Sequence, residues 1–185
     1  MGALIGIDVS AYQGYIDWNK AKAAGCEFAF IRAHYQGGKD VHFDRNWAET
    51  KRVGIPRGAY GWVMNGKNQI AEANNFIGYL GNDLGELAPA CDFEKYITSP
   101  TFGELRTFIE RVEVLTKKLP YIYTSYGFWT SGVGYANQTW AAKYPLWHAQ
   151  YTSATTPTLK PPFTKWVFWQ YSSPGNRMAS TYGAA

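Results

Sequence analysis

Short apolar runs alternate with amphipathic segments along the first two thirds of the chain. Apolar runs of this length are typical of buried strands, and the segments between them have helical spacing. The predicted strands cover residues 4–8, 27–33, 55–63, 87–94 and 121–125, and the predicted helices cover residues 16–25, 43–54, 67–81 and 101–119. This alternation predicts a parallel sheet covered by helices.

The helix predicted over residues 101–119 has the clearest pattern. Its apolar residues recur three and four positions apart, which predicts one buried stripe. The stripe consists of Leu105, Phe108, Ile109, Val112 and Leu115. Thr101, followed three positions later by Glu104, is typical of a capping box and indicates where the helix begins.

The pattern changes after residue 125. Residues 145–151 and 165–173 have the composition of strands, but no long helical stripe lies between them. Residues 152–162 are rich in Thr and Pro and indicate a loop. Because the chain has no internal repeat and no change of composition that would mark a second domain, we expect one domain over residues 1–185. The pattern predicts a barrel that begins as α/β and finishes with plainer strands.

The composition indicates a globular protein, with 46% hydrophobic and 17% charged residues. No apolar run approaches the roughly 20 residues that span a bilayer, so no membrane insertion is expected. The first ten residues lack the basic and apolar regions of a secretory signal, which indicates synthesis in the cytoplasm. Cys26 and Cys91 form neither a disulfide framework nor a zinc-binding spacing, and we expect both to be buried thiols.

Charge and aromatic content narrow the class of ligand. The formal net charge is +4, and all acidic residues lie at or before Glu113, which leaves the rest of the chain basic. Because the basic residues are scattered, they suit an anionic surface such as a cell wall and do not indicate nucleic acid. The 8 Trp, 14 Tyr and 10 Phe suit a protein that grips a polysaccharide, since aromatic rings stack on sugar faces.

Two carboxylates end the fourth predicted strand, in the segment PACDFEK at residues 89–95. Alternate strand residues share a face, so Asp92 and Glu94 point the same way, with Cα atoms roughly 6.6 Å apart. In a desolvated pocket one of the two retains a proton while the other stays ionised. Glycoside hydrolysis needs this arrangement, and Asp8, at the end of the first strand, can join the cluster.

Other interpretations of these residues remain open at this point. Asp92 and Glu94 can be exposed carboxylates at the start of a loop, or the three acids can hold Mg²⁺. Arg32 and His34, at the end of the second strand, can be an ion-pair partner and a structural histidine. The chain has no GxSxG, HExxH, CxxC or P-loop motif, so no cofactor is expected.

The whole set of motifs resembles glycoside hydrolase family 25. These are the Chalaropsis-type lysozymes, or muramidases, of bacteria, fungi and bacteriophage endolysins. The resemblance rests on IGIDVSAYQGYIDW (5–18), FAFIRAHYQG (28–37), GIPRGAYGWV (54–63), PACDFEK (89–95), YIYTS (121–125), PLWHAQY (145–151) and FWQYSS (168–173). It covers nearly the whole chain.

The resemblance implies a flattened TIM-like barrel, (β/α)5 followed by three plainer strands. It implies an endolysin-like monomer that acts on cell-wall peptidoglycan, cleaving the β-1,4 bond between N-acetylmuramic acid and N-acetylglucosamine without a metal. Glu94 matches the general acid, Asp92 its partner carboxylate, and Asp8 the motif acid of the first strand. The positions that match the substrate groove are Tyr60, Trp62, Tyr123, Trp147, Gln150 and Gln170.

The chain departs from the family pattern in one place. The family usually carries a further Asp shortly after the segment WQYSS, and residues 168–185 contain no acid. This departure predicts a truncated C-terminus or an unusual last strand. It also keeps a second function open, a weakly active or inactive glycan-binding module of the same fold.

Overall fold

One curled sheet of parallel strands organises the protein in the computed structural model, which describes residues 4–95 and 99–172. The strands are β1 Gly6–Val9, β2 Phe28–Tyr35, β3 Gly38–Lys39, β4 Arg57–Trp62, β5 Ala90–Asp92, β6 Tyr121–Ser125, β7 Leu146–Ala149 and β8 Phe168–Gln170. The sheet order is β1-β2-β4-β5-β6-β7-β8, with every neighbouring pair parallel. Among the strands of the described residues, only the short β3 is antiparallel, paired with β2. The predicted parallel α/β sheet is confirmed.

Helices follow the first five parallel strands. They are α1 Trp18–Ala23, α2 Phe43–Arg52, α3 Gln69–Leu80, α4 Phe102–Thr116 and α5 Tyr126–Ser131, with short 3₁₀ helices at Ala11–Gln13, Tyr135–Asn137 and Thr139–Lys143. The (β/α)5 arrangement is therefore present, and β7 and β8 are the plainer strands that follow it. A third plainer strand after β8 would fall at residues 173–185, outside the described residues.

The helix starts follow from their capping residues. Thr101 and Glu104 form the predicted capping box, in which Thr101 Oγ1 accepts from the Glu104 amide at 3.2 Å and Glu104 Oε2 accepts from the Thr101 amide at 2.7 Å. Asp17 caps α1 through its Oδ1. The predicted stripe of α4 is buried except at its end, where Leu115 is 37% exposed and Thr116 lies in the core instead.

Four local features differ from the pattern-based expectation. Strand β5 is only three residues long, because Pro89 has no N–H to donate and the ladder begins after it. The hairpin that contains β3 and the short helix α5 have no periodic apolar signal. In β2, the register with β4 shifts between Arg32 and His34. This shift is typical of a bulge that re-aims side chains at the end of a strand.

The sheet separates two apolar clusters. The larger lies between the sheet and the helices, and it includes Val9, Ile31 and Cys91 with the buried stripes of the helices. The smaller lies on the concave face of the sheet, and its buried members are Phe30, Tyr60, Ala90, Tyr123, Trp147 and Ala149. Residues of one strand alternate between the two clusters, as the pleat requires.

Both cysteines are free and buried, as expected. Burial raises the pKa of the Cys26 thiol to about 11, and it raises that of Cys91 as well, so neither is a thiolate at neutral pH. No helix in the described part of the chain is long and apolar enough to cross a membrane.

Gly58 shows how tightly the concave cluster is packed. A Cβ atom on Gly58 would lie 2.5 Å from Cε1 of Phe30 and 3.1 Å from Cβ of Leu87. Because these neighbours are already packed, we expect Gly58→Ala to lower the free energy of unfolding by about 1–3 kcal/mol, measured by urea denaturation.

Gly78, inside α3, is the matched control for that substitution. A Cβ there would meet no heavy atom within 4 Å. Gly78→Ala is therefore expected to raise the free energy of unfolding by about 0.5–1 kcal/mol, the helix-propensity difference between the two residues. Equal effects of the two substitutions would contradict the close approach of Phe30.

Candidate active site

The carboxyl edge of the sheet collects the acidic residues. Since the strands are parallel, their carboxyl ends meet at one edge, which is where barrel enzymes carry their sites. Asp8 lies on β1, Asp92 is the last residue of β5, and Glu94 follows two residues later. Ala90, in the concave cluster, shares the face of Asp92 and Glu94, while Cys91 and Phe93 pack in the helix-side core. The structure therefore places the two carboxylates on the concave face.

The three carboxyl groups differ in exposure. Asp92 is 4% exposed, and its Oδ1 is buried without a hydrogen-bond partner among the described residues. Asp8 and Glu94 are partly exposed. Glu94 is thus open to a ligand in the cleft, whereas Asp92 lies deeper.

Burial and mutual repulsion set the protonation of the cluster. Burial and the charge of Asp8 raise the pKa of Glu94 to about 7. Burial, Glu94 and Asp8 raise the pKa of Asp92 well above its usual range, and Arg32 acts in the opposite direction. Burial also raises the pKa of Asp8. Three carboxyl groups this close titrate as one coupled system, so the cluster retains a proton near neutral pH.

Asp8 has a specific partner on the last strand. The side-chain amide of Gln170 donates from Nε2 to Asp8 Oδ2 at 2.9 Å. This hydrogen bond favours the ionised form of Asp8 and so lowers its pKa, partly offsetting the effect of burial. It also joins β8 to β1, the two ends of the described sheet.

Aromatic side chains line the concave face below the acids. Tyr60, Tyr123 and Trp147 are each at least nine-tenths buried, and Trp147 stacks on Phe30 with ring centroids 4.4 Å apart. Trp62 is more open and meets Tyr35 edge to face at 5.1 Å. With Gln170, which bonds Asp8 and Tyr123, five of the six predicted groove residues lie on this face, three of them as a packed floor.

Gln150 is placed differently from the prediction that it lines the groove. Trp147 and Ala149 belong to the concave cluster, so Gln150 falls on the opposite face of the chain. Its Oε1 accepts from the Thr158 amide at 2.6 Å and holds the loop that follows β7. The structure therefore gives Gln150 a part in loop geometry.

Arg32 and His34 each contact a carboxylate of the protein, which fits the ion-pair and structural roles that the sequence left open. Arg32 Nε donates to Asp40 Oδ2 at 2.7 Å, on the concave side of β2. His34 is fully buried on the other side, with Nε2 3.1 Å from Glu72 Oε2 of α3. Burial lowers the pKa of His34, and the nearby Glu72 acts against that effect.

Two residues at this edge were missing from the sequence-based site. Asp40 also accepts from the Ala11 amide at 2.9 Å and the His42 amide at 2.9 Å, so it fixes the turn after β1. Tyr151 donates its hydroxyl to Gln170 Oε1 at 2.7 Å. The sequence did contain a signal for Tyr151, because residues 147, 149 and 151 are alternate positions and so share one face of the strand. Asp40 had none, because its contacts depend on the β3 hairpin.

A metal ion bound by protein side chains needs several donor groups placed around it. Across residues 4–95 and 99–172, no three His, Cys, Asp or Glu side chains are grouped so that they could hold a metal. The arrangement of Asp8, Asp92 and Glu94 is a set of mutually repelling carboxyl groups beside an aromatic floor.

A curled parallel α/β sheet with a desolvated carboxyl cluster at its carboxyl edge has the architecture and the acid–base groups of a glycoside hydrolase. Comparison with known proteins makes the assignment specific. The model of the family "Glycosyl hydrolases family 25" matches residues 7–179, and the chain belongs to that family.

Relatives and solved structures agree with this membership. Lysozyme M1 of Streptomyces globisporus is 35% identical to this chain over an alignment of 186 residues. The alignment covers 92% of this chain and 62% of that protein. The bacterial lysozyme from Streptomyces coelicolor superposes with a TM-score of 0.78 at 28% identity, covering all of both chains. A family 25 glycosyl hydrolase from Bacillus anthracis gives a TM-score of 0.77 at 27% identity, over 90% of this chain and 78% of that one. The chain spans less than two thirds of lysozyme M1.

Proposed function

We propose that the protein is a lysozyme that hydrolyses the β-1,4 bond between N-acetylmuramic acid and N-acetylglucosamine in peptidoglycan. The observation that carries the proposal is Glu94, a partly exposed carboxyl group with a pKa of about 7 beside two further carboxyl groups. A group with this pKa can hold a proton near neutral pH and release it during the reaction. The similarity to two Streptomyces lysozymes supports the choice of substrate.

In the proposed mechanism, Glu94 donates its proton to the oxygen of the glycosidic bond as that bond to C1 breaks. The positive charge that develops on the sugar needs a nearby anion. Asp92 is the proposed anion, or it positions the acetamido group of the sugar. Burial, Glu94 and Asp8 raise its pKa, and Arg32 acts against them in favour of the ionised form. Water then adds to C1 and loses a proton to a carboxylate of the cluster, which replaces the proton that Glu94 gave and completes the hydrolysis.

The same chemistry sets the place of action. The substrate lies in the bacterial cell wall, and the protein is proposed to be made in a bacterial cytoplasm and to reach the wall as endolysins do. The basic stretch after Glu113 would favour approach to anionic wall polymers.

Analysis of the sugar fragments tests the proposed reaction. Purified peptidoglycan is incubated with the protein, the new reducing ends are reduced with borohydride, and the products are identified by mass spectrometry. Reducing ends on N-acetylmuramic acid are expected. Reducing ends on N-acetylglucosamine would show that the other glycosidic bond is cut and would overturn the proposal.

A glycan-binding module is the second candidate, and the lack of any acid in residues 168–185 favours it. In that case peptidoglycan sediments the protein, but no reducing ends appear even at high protein concentration. The two measurements together separate an enzyme from a module of the same fold.

A further inference from the structure

The side-chain amide of Gln170 connects three other side chains at the carboxyl edge. Its Nε2 donates to Asp8 Oδ2 at 2.9 Å, and its Oε1 accepts from the hydroxyls of Tyr123 at 3.0 Å and Tyr151 at 2.7 Å. The amide oxygen has two lone pairs, and the two tyrosines use both. An ionised carboxylate only accepts, so the amide nitrogen must face Asp8. The orientation of Gln170 is thus fixed by its three partners.

Tyr151 differs from the other aromatic residues of the site. It continues the alternation of Trp147 and Ala149 beyond the end of β7, so it lies on the concave side of the chain. Tyr60, Tyr123 and Trp147 are at least nine-tenths buried, whereas Tyr151 is 59% exposed. Much of the Tyr151 side chain is therefore exposed to solvent, while its hydroxyl donates to the Gln170 amide that also bonds Asp8.

A ring in this state suits a sugar ligand. Sugars present C–H faces to aromatic rings, and a tyrosine whose hydroxyl already has a partner offers an apolar face without leaving a polar atom unpaired. Because Gln170 restricts the side chain before the ligand arrives, less conformational entropy is lost on binding.

We propose that Tyr151 is a sugar-contacting residue at the rim of the cleft, and that Gln170 is a positioning residue that holds both the Tyr151 ring and the Asp8 carboxylate. The proposal gives Gln170 a role through its neighbours, since its oxygen and one N–H are already engaged within the protein. The identity of the sugar polymer, peptidoglycan, rests on the proposed function.

The link through Gln170 has two measurable consequences. The Tyr151 ring contributes to affinity for the glycan, whereas the donor to Asp8 acts on the protonation of the acids. Without Gln170, the hydrogen bond that lowers the pKa of Asp8 is lost, so Asp8 takes up its proton at a higher pH. The acid limb of the pH profile of kcat/KM is then expected to move to higher pH.

Affinity is tested in the Glu94→Gln background, so that binding is measured without cleavage. Sedimentation with purified peptidoglycan gives the Kd, and thermal melting checks the fold of each variant. Tyr151→Ala is expected to weaken binding about tenfold, the scale of a lost aromatic contact. Tyr151→Phe, which keeps the ring, is expected to weaken it less. The matched control is Tyr171→Ala, which removes a tyrosine that is 49% exposed on the opposite face from Gln170, and its Kd is expected to be unchanged.

A double-mutant cycle tests whether Gln170 acts through Tyr151. Because Gln170→Met removes the acceptor that holds the Tyr151 hydroxyl, adding Tyr151→Phe should then cost less affinity than Tyr151→Phe costs alone. Independent, additive losses would overturn the positioning role. A residue with a purely structural role would lower the melting temperature without moving the Kd or the pH profile.

The outcomes also separate this proposal from the proposed function. Suppose that the parent protein releases N-acetylmuramic acid reducing ends, and that adding Tyr151→Ala to the Glu94→Gln variant leaves its Kd for peptidoglycan unchanged. The inference then fails and the function stands. If the parent releases none and Tyr151→Ala still weakens binding about tenfold, the function fails and the role of Tyr151 in glycan binding stands.

Discussion

Glu94→Gln is expected to reduce the rate of peptidoglycan hydrolysis by about a hundredfold to ten-thousandfold, the usual contribution of a general acid. Gln has nearly the same shape as protonated Glu, but it has no acidic proton to give to the glycosidic oxygen. The loss should appear in kcat, because ground-state contacts with the substrate are kept. The measurement is the decrease in turbidity of a bacterial suspension, together with the release of reducing ends.

The matched control for this substitution is Glu110→Gln. Glu110 lies on the exposed side of α4, where it forms an ion pair with Arg106 at 2.8 Å. Its substitution removes one carboxylate and is expected to leave the rate of lysis unchanged. Lysis by Glu94→Gln at a rate near that of the Glu110→Gln variant would rule out Glu94 as the proton donor.

The stability of the Glu94→Gln variant gives an independent check. Folding raises the pKa of Glu94 from its ordinary value of 4.5 to about 7. A carboxyl group whose pKa is raised by folding makes the protein less stable as the pH rises from the pKa of the unfolded state through that of the folded state. The reason is that ionisation is less favourable in the folded state. Gln cannot ionise, so at pH 8 the variant is expected to melt no lower than the parent. Loss of activity with a preserved melting temperature therefore reflects chemistry.

The alternation of strands and helices and the facing of the acids could be predicted because both depend on short-range periodicity. Ala90, Asp92 and Glu94 share a face through the pleat alone, and the parallel arrangement brings Asp8 to the same edge. The capping box at Thr101 is likewise local. In each of these cases the signal lay within a few residues of the feature that it predicted.

The partners of the site residues could not be predicted because they depend on distant parts of the chain. Gln170 reaches Asp8 across 162 positions, and this contact requires the sheet to curl until its two ends meet. The contact of Gln170 with Asp8 therefore becomes visible only in three dimensions. Gln150 shows the same limit on a smaller scale, since its face depends on where β7 begins.

The pH profile of kcat/KM is expected to be bell-shaped, with an alkaline limb near pH 7. This limb reports the pKa of the essential acid in the free enzyme, and Glu94 has a pKa of about 7. Above it the rate falls about tenfold per pH unit, because only the protonated fraction can donate. The acid limb reports the carboxylates that must be ionised. It is expected to lie above the ordinary Asp value of 3.8, since burial and mutual repulsion raise the pKa values of Asp92 and Asp8.

Asp8→Asn should move the alkaline limb to lower pH. The charge of Asp8 is one of the two causes that raise the pKa of Glu94, and burial is the larger. Removing that charge takes away the repulsion but leaves the burial, so the limb shifts without returning to the ordinary value of 4.5. The Glu110→Gln control should keep the limb of the parent. An unchanged alkaline limb in Asp8→Asn would show that the two carboxyl groups do not interact, and the shared protonation that links β1 to β5 would then have to be abandoned.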